Sequence, residues 1–255
     1  MSPMHIRNWS GNSDRPALAL HCMMGNASYW APIATQLADL VEITAPDLPG
    51  HGQSPDWPGD PDYHTHTTRE TAPLIQRPLD LIGHSIGATV ALRIAVAAPE
   101  AVRSLTLIEP VLFAAAPDPT AVDQLEAIRQ LSVDGKDEEA ARQFLSIWGE
   151  VDLDNQSPTS RSRLIRQIRM VVSGNDTLVH DSAKILRDGG LEAIDAPVML
   201  VMGEESPPVI AAIAEALAAR MQDVARASVP GAGHMLPITH PNQVAGLIRM
   251  NLEQS

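Results

Sequence analysis

The feature that most restricts the fold of this 255-residue chain is a repeated alternation of short apolar runs with longer helical stretches. The apolar runs have strand length and are bounded by Gly or Pro, whereas the longer stretches repeat apolar residues every three or four positions. This alternation is typical of an α/β fold with a mostly parallel, doubly wound sheet, because parallel strands need a helical crossover. We predict strands at 17–22, 41–46, 79–83, 104–109, 197–203 and 224–230, and helices at 28–40, 85–98, 208–221 and 241–252.

One long segment interrupts the alternation. Residues 110–195 contain no buried strand-length run, and their pattern predicts helices at 121–131, 138–148 and 160–172. A chain of 255 residues is long for one domain and short for two equal ones. We therefore predict a core domain formed by residues 1–109 and 196–255, with residues 110–195 inserted as a helical unit.

The charge balance restricts the partners. The chain has 18 Lys and Arg against 31 Asp and Glu, a formal net charge of −13, which repels phosphate backbones and anionic lipid. We expect a small-molecule substrate and neither a nucleic-acid nor a membrane partner. The one cysteine, Cys22, cannot form an internal disulfide, and residues 1–16 lack the apolar run of a signal peptide. A cytoplasmic location is predicted, and the oligomeric state is left open.

The strongest chemical signal is Gly83-His84-Ser85-Ile86-Gly87, which joins a predicted strand to a predicted helix. Small residues on both sides allow a sharp turn around the serine. The start of the following helix supplies positive potential where an oxyanion would form. Ser85 is therefore predicted to be a nucleophile.

Three further segments, in the order in which they occur, resemble motifs of the α/β-hydrolase superfamily. They are Leu20-His21-Cys22-Met23-Met24-Gly25, Asp47-Leu48-Pro49-Gly50-His51-Gly52-Gln53-Ser54 and Pro230-Gly231-Ala232-Gly233-His234. The resemblance covers nearly the whole chain. It implies an α/β-hydrolase fold in which 110–195 is the cap, and a reaction that requires neither cofactor nor metal.

The resemblance also implies which backbone groups stabilise an oxyanion. They are the N–H groups of Met23 and of Ile86, the residue after the nucleophile. Cys22 stands where this family usually has glycine, so the backbone there has less freedom. A lone strand cysteine is more often inert than reactive, and Cys22 is expected to be so.

His234 is the predicted general base, because it alone among the histidines follows a strand-like run and a Gly-x-Gly turn. A neutral imidazole can accept the serine proton and return it to a leaving group. His84 is expected to pack elsewhere, and His51 to lie in a loop near the mouth of the pocket.

The third member of the triad is the least determined by sequence. Family members commonly carry an Asp shortly after the strand that here ends at Gly203, but this chain continues Glu204-Glu205-Ser206. Some members take the acid from the end of the strand that follows the nucleophile helix, where this chain has Glu109. A carboxylate at the end of a buried run is costly without a partner. Glu109 is therefore the predicted acid, with Glu205 and Glu204 as alternatives.

The predicted function is that of a serine hydrolase acting on a small carboxylic ester. Two alternatives stay open. One is a ligand-binding or sensor protein on the same fold, and the other is a carbon–carbon bond hydrolase or a lyase. The residues expected to line the substrate pocket are Met24, Leu112, Phe113, Phe144, Trp148 and Met170. The cluster Asp60, Asp62, His64 and His66 is expected to be a solvated loop rather than a metal site.

Overall fold

A computed structural model describes residues 3–149 and 151–255. Seven strands form one sheet: β1 (Ile6–Trp9), β2 (Pro16–Leu20), β3 (Glu42–Pro46), β4 (Leu79–His84), β5 (Val102–Ile108), β6 (Val198–Gly203) and β7 (Val224–Val229). Their spatial order is β1-β3-β2-β4-β5-β6-β7. All neighbouring pairs are parallel except β1 with β3.

The α-helices are α1 (Ala31–Leu37), α2 (Tyr63–Thr71), α3 (Ile86–Ala97), α4 (Pro119–Val133), α5 (Asp137–Trp148), α6 (Pro158–His180), α7 (Pro208–Ala218), α8 (Leu236–Thr239) and α9 (Pro241–Leu252). Apolar side chains of α3 and α7 belong to the core on one face of the sheet. Those of α1 and α9 belong to the core on the other face. This confirms the predicted mostly parallel sheet with helices on both sides.

Several elements differ from the sequence expectation, the unpredicted short helix α8 among them. Strand β1 was not predicted, because its residues are largely exposed and it pairs only at the edge of the sheet. The predicted loop around Asp60 to His66 is wrong, since α2 begins there. The Asp62 side chain caps α2 by accepting a hydrogen bond from the Thr65 N–H. The face that α2 buries includes His64, Thr67 and Thr71, so it lacks the apolar period that marks a helix in sequence.

The sheet topology gathers the motif-bearing loops at one edge. The ends of β4 and β5 are paired at His84 and Ile108, and those of β6 and β7 at Gly203 and Val229. Because parallel strands end on the same side, the loops after β2, β4, β5, β6 and β7 lie close together.

The described residues between β5 and β6 form helices and no strand. Helices α4, α5 and α6 pack together through a separate small apolar cluster that includes Ile128, Leu145 and Ile168. Helix α6 extends from residue 158 to 180, beyond the predicted 160–172. These helices lie over the carboxyl edge of the sheet, as the cavities described below show.

Candidate active site

Ser85 lies at the turn between β4 and α3 in a conformation that side-chain-bearing residues seldom adopt, with φ 57° and ψ −119°. Both flanking positions need glycine because backbone atoms of neighbouring residues come too close to leave room for a Cβ. A Cβ on Gly83 would lie 2.4 Å from the Gly87 carbonyl oxygen, and one on Gly87 would lie 2.4 Å from the Leu20 carbonyl oxygen. The tight packing of this turn holds the Ser85 side chain above the sheet edge.

Ser85, His234 and Glu109 form one continuous line of hydrogen-bond contacts. His234 Nε2 lies 3.0 Å from Ser85 Oγ, and His234 Nδ1 lies 2.8 Å from Glu109 Oε2. A carboxylate only accepts, so the neutral imidazole carries its proton on Nδ1 and donates it to Glu109. His234 Nε2 is then left as the acceptor for the Ser85 hydroxyl. The exposed fractions are 7% for Ser85, 4% for His234 and 0% for Glu109, so the line is almost closed to solvent.

Glu109 is held by more than the histidine. Its Oε1 accepts hydrogen bonds from the Gly203 N–H at 2.7 Å and from the Ser206 hydroxyl at 2.8 Å. Its backbone has a left-handed φ of 52°. The alternative acids Glu204 and Glu205 are exposed, whereas the residues before and after them, Gly203 and Ser206, contact the Glu109 carboxylate.

Residues 21–25, which follow β2, are called the oxyanion segment here. Most of the N–H groups of this segment already have hydrogen-bond acceptors. The Cys22 N–H donates to Tyr29 Oη, the Met24 N–H to His51 Nε2 and the Gly25 N–H to the Cys22 carbonyl. In the part of the chain that the structure describes, no intramolecular acceptor contacts the N–H of Met23 or that of Ile86. These two groups are therefore free to bind an oxygen atom beside Ser85.

His51 takes part in shaping this segment, a role the sequence did not indicate. It is buried rather than at a pocket mouth, and its Nδ1–H donates to the Pro49 carbonyl at 2.9 Å. Its Nε2 accepts the Met24 N–H at 2.9 Å, and Met24 has a left-handed φ of 62°. Burial lowers the pKa of His51 to about 3, which keeps it neutral and able to accept.

A second hydrogen-bonded line links the oxyanion segment to the loop that carries His234. His84 Nε2 faces the His234 carbonyl at 2.8 Å and must donate to it. His84 Nδ1 then accepts from the Tyr29 hydroxyl at 3.0 Å, and Tyr29 Oη in turn accepts from the Cys22 N–H. Burial sets the pKa of His84 well below its usual range, consistent with this neutral form. The packing role expected for His84 thus has a specific geometry.

Cys22 belongs to the oxyanion segment and is buried. Burial raises the pKa of its thiol to about 12, so the reactive thiolate is scarce at neutral pH. The Cys22 side chain is therefore not expected to act as a nucleophile.

Ser85 lines two small cavities. Cavity A, of about 40 Å³, is lined by Met23, Ser85, Ile86, Val111, Phe113, Leu125, Phe144, Trp148, Val171, Asn175 and Leu178. Cavity B, of about 60 Å³, is lined by Cys22, Met23, Met24, Ser85, Phe144, Leu145, Trp148, Gly149, Val151, Leu164, His234 and Met235. Much of both linings comes from the helices between β5 and β6.

The predicted pocket residues divide into two groups. Phe113 lines cavity A, Met24 lines cavity B, and Phe144 and Trp148 line both. Two expectations are corrected, because Leu112 and Met170 line neither cavity.

Leu112 is fully buried in the core, while Met170 faces an outer groove beside Gly50. Asn175 and Leu178 were missed because α6 continues past the predicted end of its helix.

Trp148 joins the helical segment to the triad. Its ring packs edge-on against the His234 imidazole at a centroid distance of 5.0 Å, and against Phe113 at 5.9 Å. It is 5% exposed. Trp148 therefore closes the site over the His234 ring.

Within residues 3–149 and 151–255, no three His, Cys, Asp or Glu side chains are grouped so that they could hold a metal ion. His64, from the cluster considered above, instead contacts Thr89 Oγ1 at 3.2 Å and accepts from Arg93 at 3.2 Å. Over the same residues no helix combines the length and apolar character needed to span a membrane.

Known proteins share this architecture. A family model described as alpha/beta hydrolase family matches residues 17–247. Lipase LipV of Mycobacterium tuberculosis is 26% identical over 265 residues, which cover 98% of this chain and 97% of that protein. A pimeloyl-[acyl-carrier protein] methyl ester esterase of Methylococcus capsulatus is 30% identical over 234 residues, covering 86% and 87%. The solved structure of a thermophilic esterase from Thermogutta terrifontis matches in fold, with a TM-score of 0.72, 20% identity and coverage of 98% and 93%.

Proposed function

Since this chain belongs to the α/β-hydrolase family, we propose that it is a carboxylic-ester hydrolase with Ser85 as nucleophile, His234 as general base and Glu109 as the orienting acid. The observation that carries the proposal is the unbroken line from Ser85 Oγ through His234 to Glu109, with contacts of 3.0 and 2.8 Å. The two relatives named above are a lipase and a methyl ester esterase, which supports ester chemistry.

The first half of the reaction forms an acyl-enzyme. Ser85 Oγ attacks the ester carbonyl carbon while its proton passes to His234 Nε2. The carbonyl oxygen becomes an oxyanion that accepts hydrogen bonds from the N–H groups of Met23 and Ile86. The carbon–oxygen bond to the alcohol then breaks, and His234 returns the proton to the leaving alcohol.

The second half repeats these steps with water. His234 accepts a proton from the water as its oxygen attacks the acyl carbon, and the same two N–H groups bind the second oxyanion. The bond to Ser85 breaks, the proton returns to Ser85 Oγ and the carboxylic acid leaves. Glu109 keeps its charge throughout and stabilises the imidazolium form of His234.

The cavities favour a small ester in this proposal. Cavities of about 40 and 60 Å³ leave room for only a few substrate atoms beside Ser85. Residues 110–195 act as the cap that closes over the ester and excludes water, and they must move to admit it.

The nucleophile can be tested by labelling. A fluorophosphonate probe, which traps an activated serine, is expected to label the wild-type protein, and Ser85→Ala is expected to abolish both labelling and hydrolysis of p-nitrophenyl acetate. Ser146→Ala is a matched control, because Ser146 is exposed on α5 and lines neither cavity.

Two results would count against the proposal. If Ser85→Ala retained labelling, the nucleophile would be elsewhere. If the wild type bound esters without releasing acid or alcohol, the protein would be a ligand-binding member of the family.

A further inference from the structure

Asn175, which lines cavity A, carries a polar atom that the reaction does not use. Asn175 Oδ1, on α6, is buried and has no hydrogen-bond partner among the described residues. Buried amide oxygens in folded proteins are nearly always paired, so an unpaired one requires an explanation. Asn175 lines the same cavity as Ser85, which makes a substrate group the natural partner for this oxygen.

The surroundings of Asn175 restrict that partner. Apart from Ser85, the other side chains that line cavity A are apolar, and none is charged. The neighbouring Gly174 lies near the start of α3, since a Cβ built on it would be 4.0 Å from Ile86 Cδ1. A charged group on the substrate would be buried here without a counter-charge, which is costly. A neutral hydrogen-bonding group would not have that cost.

We propose that Asn175 is a substrate-binding residue that selects esters carrying a neutral polar group, a hydroxyl above all, on the part that enters cavity A. The inference rests on the proposed function of Ser85 and deepens it by naming the substrate class. The amide offers both an acceptor and a donor, so it can pair with a hydroxyl in either sense. An ester without that group leaves Asn175 unpaired in a dry site, and this penalty is what separates the two substrates.

The test uses pairs of esters that match in size. Methyl 3-hydroxybutyrate against methyl 3-methylbutyrate places the hydroxyl on the acyl side, and 2-hydroxyethyl acetate against propyl acetate places it on the alcohol side. The quantity measured is the ratio of kcat/KM for the hydroxylated ester to kcat/KM for its apolar match. Each kcat/KM is obtained by monitoring the release of acid. A ratio within one preparation does not depend on how much of the protein is active.

Asn175→Leu keeps the side-chain shape and removes the polar atoms. It is expected to lower the ratio about tenfold or more for at least one pair, and the affected pair identifies the side of the ester that enters cavity A. Asp176→Asn, at an exposed position of the same helix that lines neither cavity, is the matched control and is expected to keep the wild-type ratio. Asn175→Ala serves the same comparison if Asn175→Leu does not fold.

Thermal stability gives a second readout. Because Asn175 Oδ1 is unpaired, Asn175→Leu is expected to raise Tm, as happens when function rather than stability retains a polar group. If Asn175→Leu left the ratios for both ester pairs unchanged, the assignment of Asn175 would be overturned, whatever the Tm of the variant. The proposal that the protein is an ester hydrolase would not be affected. Absence of hydrolysis of all four esters by the wild type would overturn both.

Discussion

At the scale of single residues, the site is defined by which hydrogen-bonding groups are already occupied. Three N–H groups of the oxyanion segment have acceptors, whereas those of Met23 and Ile86 have no intramolecular acceptor among the described residues. Neutral, buried His51 and His84 hold this arrangement from two sides. Small changes in such groups therefore act on catalysis through geometry as well as through charge.

Glu109→Gln is expected to lower kcat on p-nitrophenyl acetate by about 10⁴, which is the effect of replacing the triad aspartate of a serine protease by asparagine. The amide keeps the side-chain size but removes the negative charge that stabilises the His234 imidazolium. Glu205→Gln is the matched control, because Glu205 is exposed after β6, and it is expected to keep nearly full activity.

Thermal melts of both variants must accompany the kinetics, because Glu109 also accepts hydrogen bonds from Gly203 and Ser206. A folded, fully active Glu109→Gln protein would show that Glu109 is not the acid. A crippled Glu205→Gln protein would assign that role to the loop after β6.

At the scale of elements, α5 connects the helical segment to the chemistry. Phe144 and Trp148 lie one turn apart on α5 and both line the two cavities beside Ser85. Trp148 also packs on the His234 ring. The size of the substrate that fits is thus set by a helix outside the sheet, whereas the triad is set by the loops at the edge of the sheet.

Phe144→Ala is expected to shift the preference among p-nitrophenyl esters toward longer acyl chains, with little change on the acetate. Removal of the ring enlarges both cavities without touching the triad. Ile147→Ala is the matched control, because Ile147 is on the same helix and lines neither cavity. Chain-length profiles of kcat/KM check the prediction, and equal losses on every ester in Phe144→Ala would instead indicate general packing.

At the scale of the whole molecule, stability is linked to pH through buried histidines. Burial lowers the pKa of His21 to about 4, of His51 and His64 to about 3, and of His84 well below its usual range. Each is neutral in the folded protein, while its unfolded form binds a proton below a pKa of about 6.5. The contribution of these neutral histidines to the free energy of unfolding is complete above that pH and is lost as the pH falls toward 4.

The free energy of unfolding is therefore expected to fall between pH 6.5 and 4, with each buried histidine contributing about 1.4 kcal/mol per pH unit. Urea denaturation across this range measures the slope. His64→Gln should flatten it by roughly one histidine's share, since His64 contacts Thr89 and Arg93 away from Ser85. His180→Gln, at an exposed position, should leave the slope unchanged. A stability that does not vary over this range would contradict the linkage.

The sequence by itself determined the sheet, the nucleophile turn and the family. Six strands and the Ser85 turn could be predicted because buried parallel strands are continuous apolar runs, and because the turn needs small residues at fixed offsets. These are local signals. Edge strand β1 and helix α2 were missed because their residues lack the apolar period that marks such elements.

Only the tertiary structure decided how distant residues meet. Glu109 and His234 are 125 positions apart, and their 2.8 Å contact depends on neighbouring strands ending at the same edge. The same holds for His51 beneath Met24 and for Asn175 in cavity A, which are brought to Ser85 by loop and helix packing. Spacing along a chain specifies which face of a helix or strand a side chain occupies, but contacts between separate elements depend on how those elements pack.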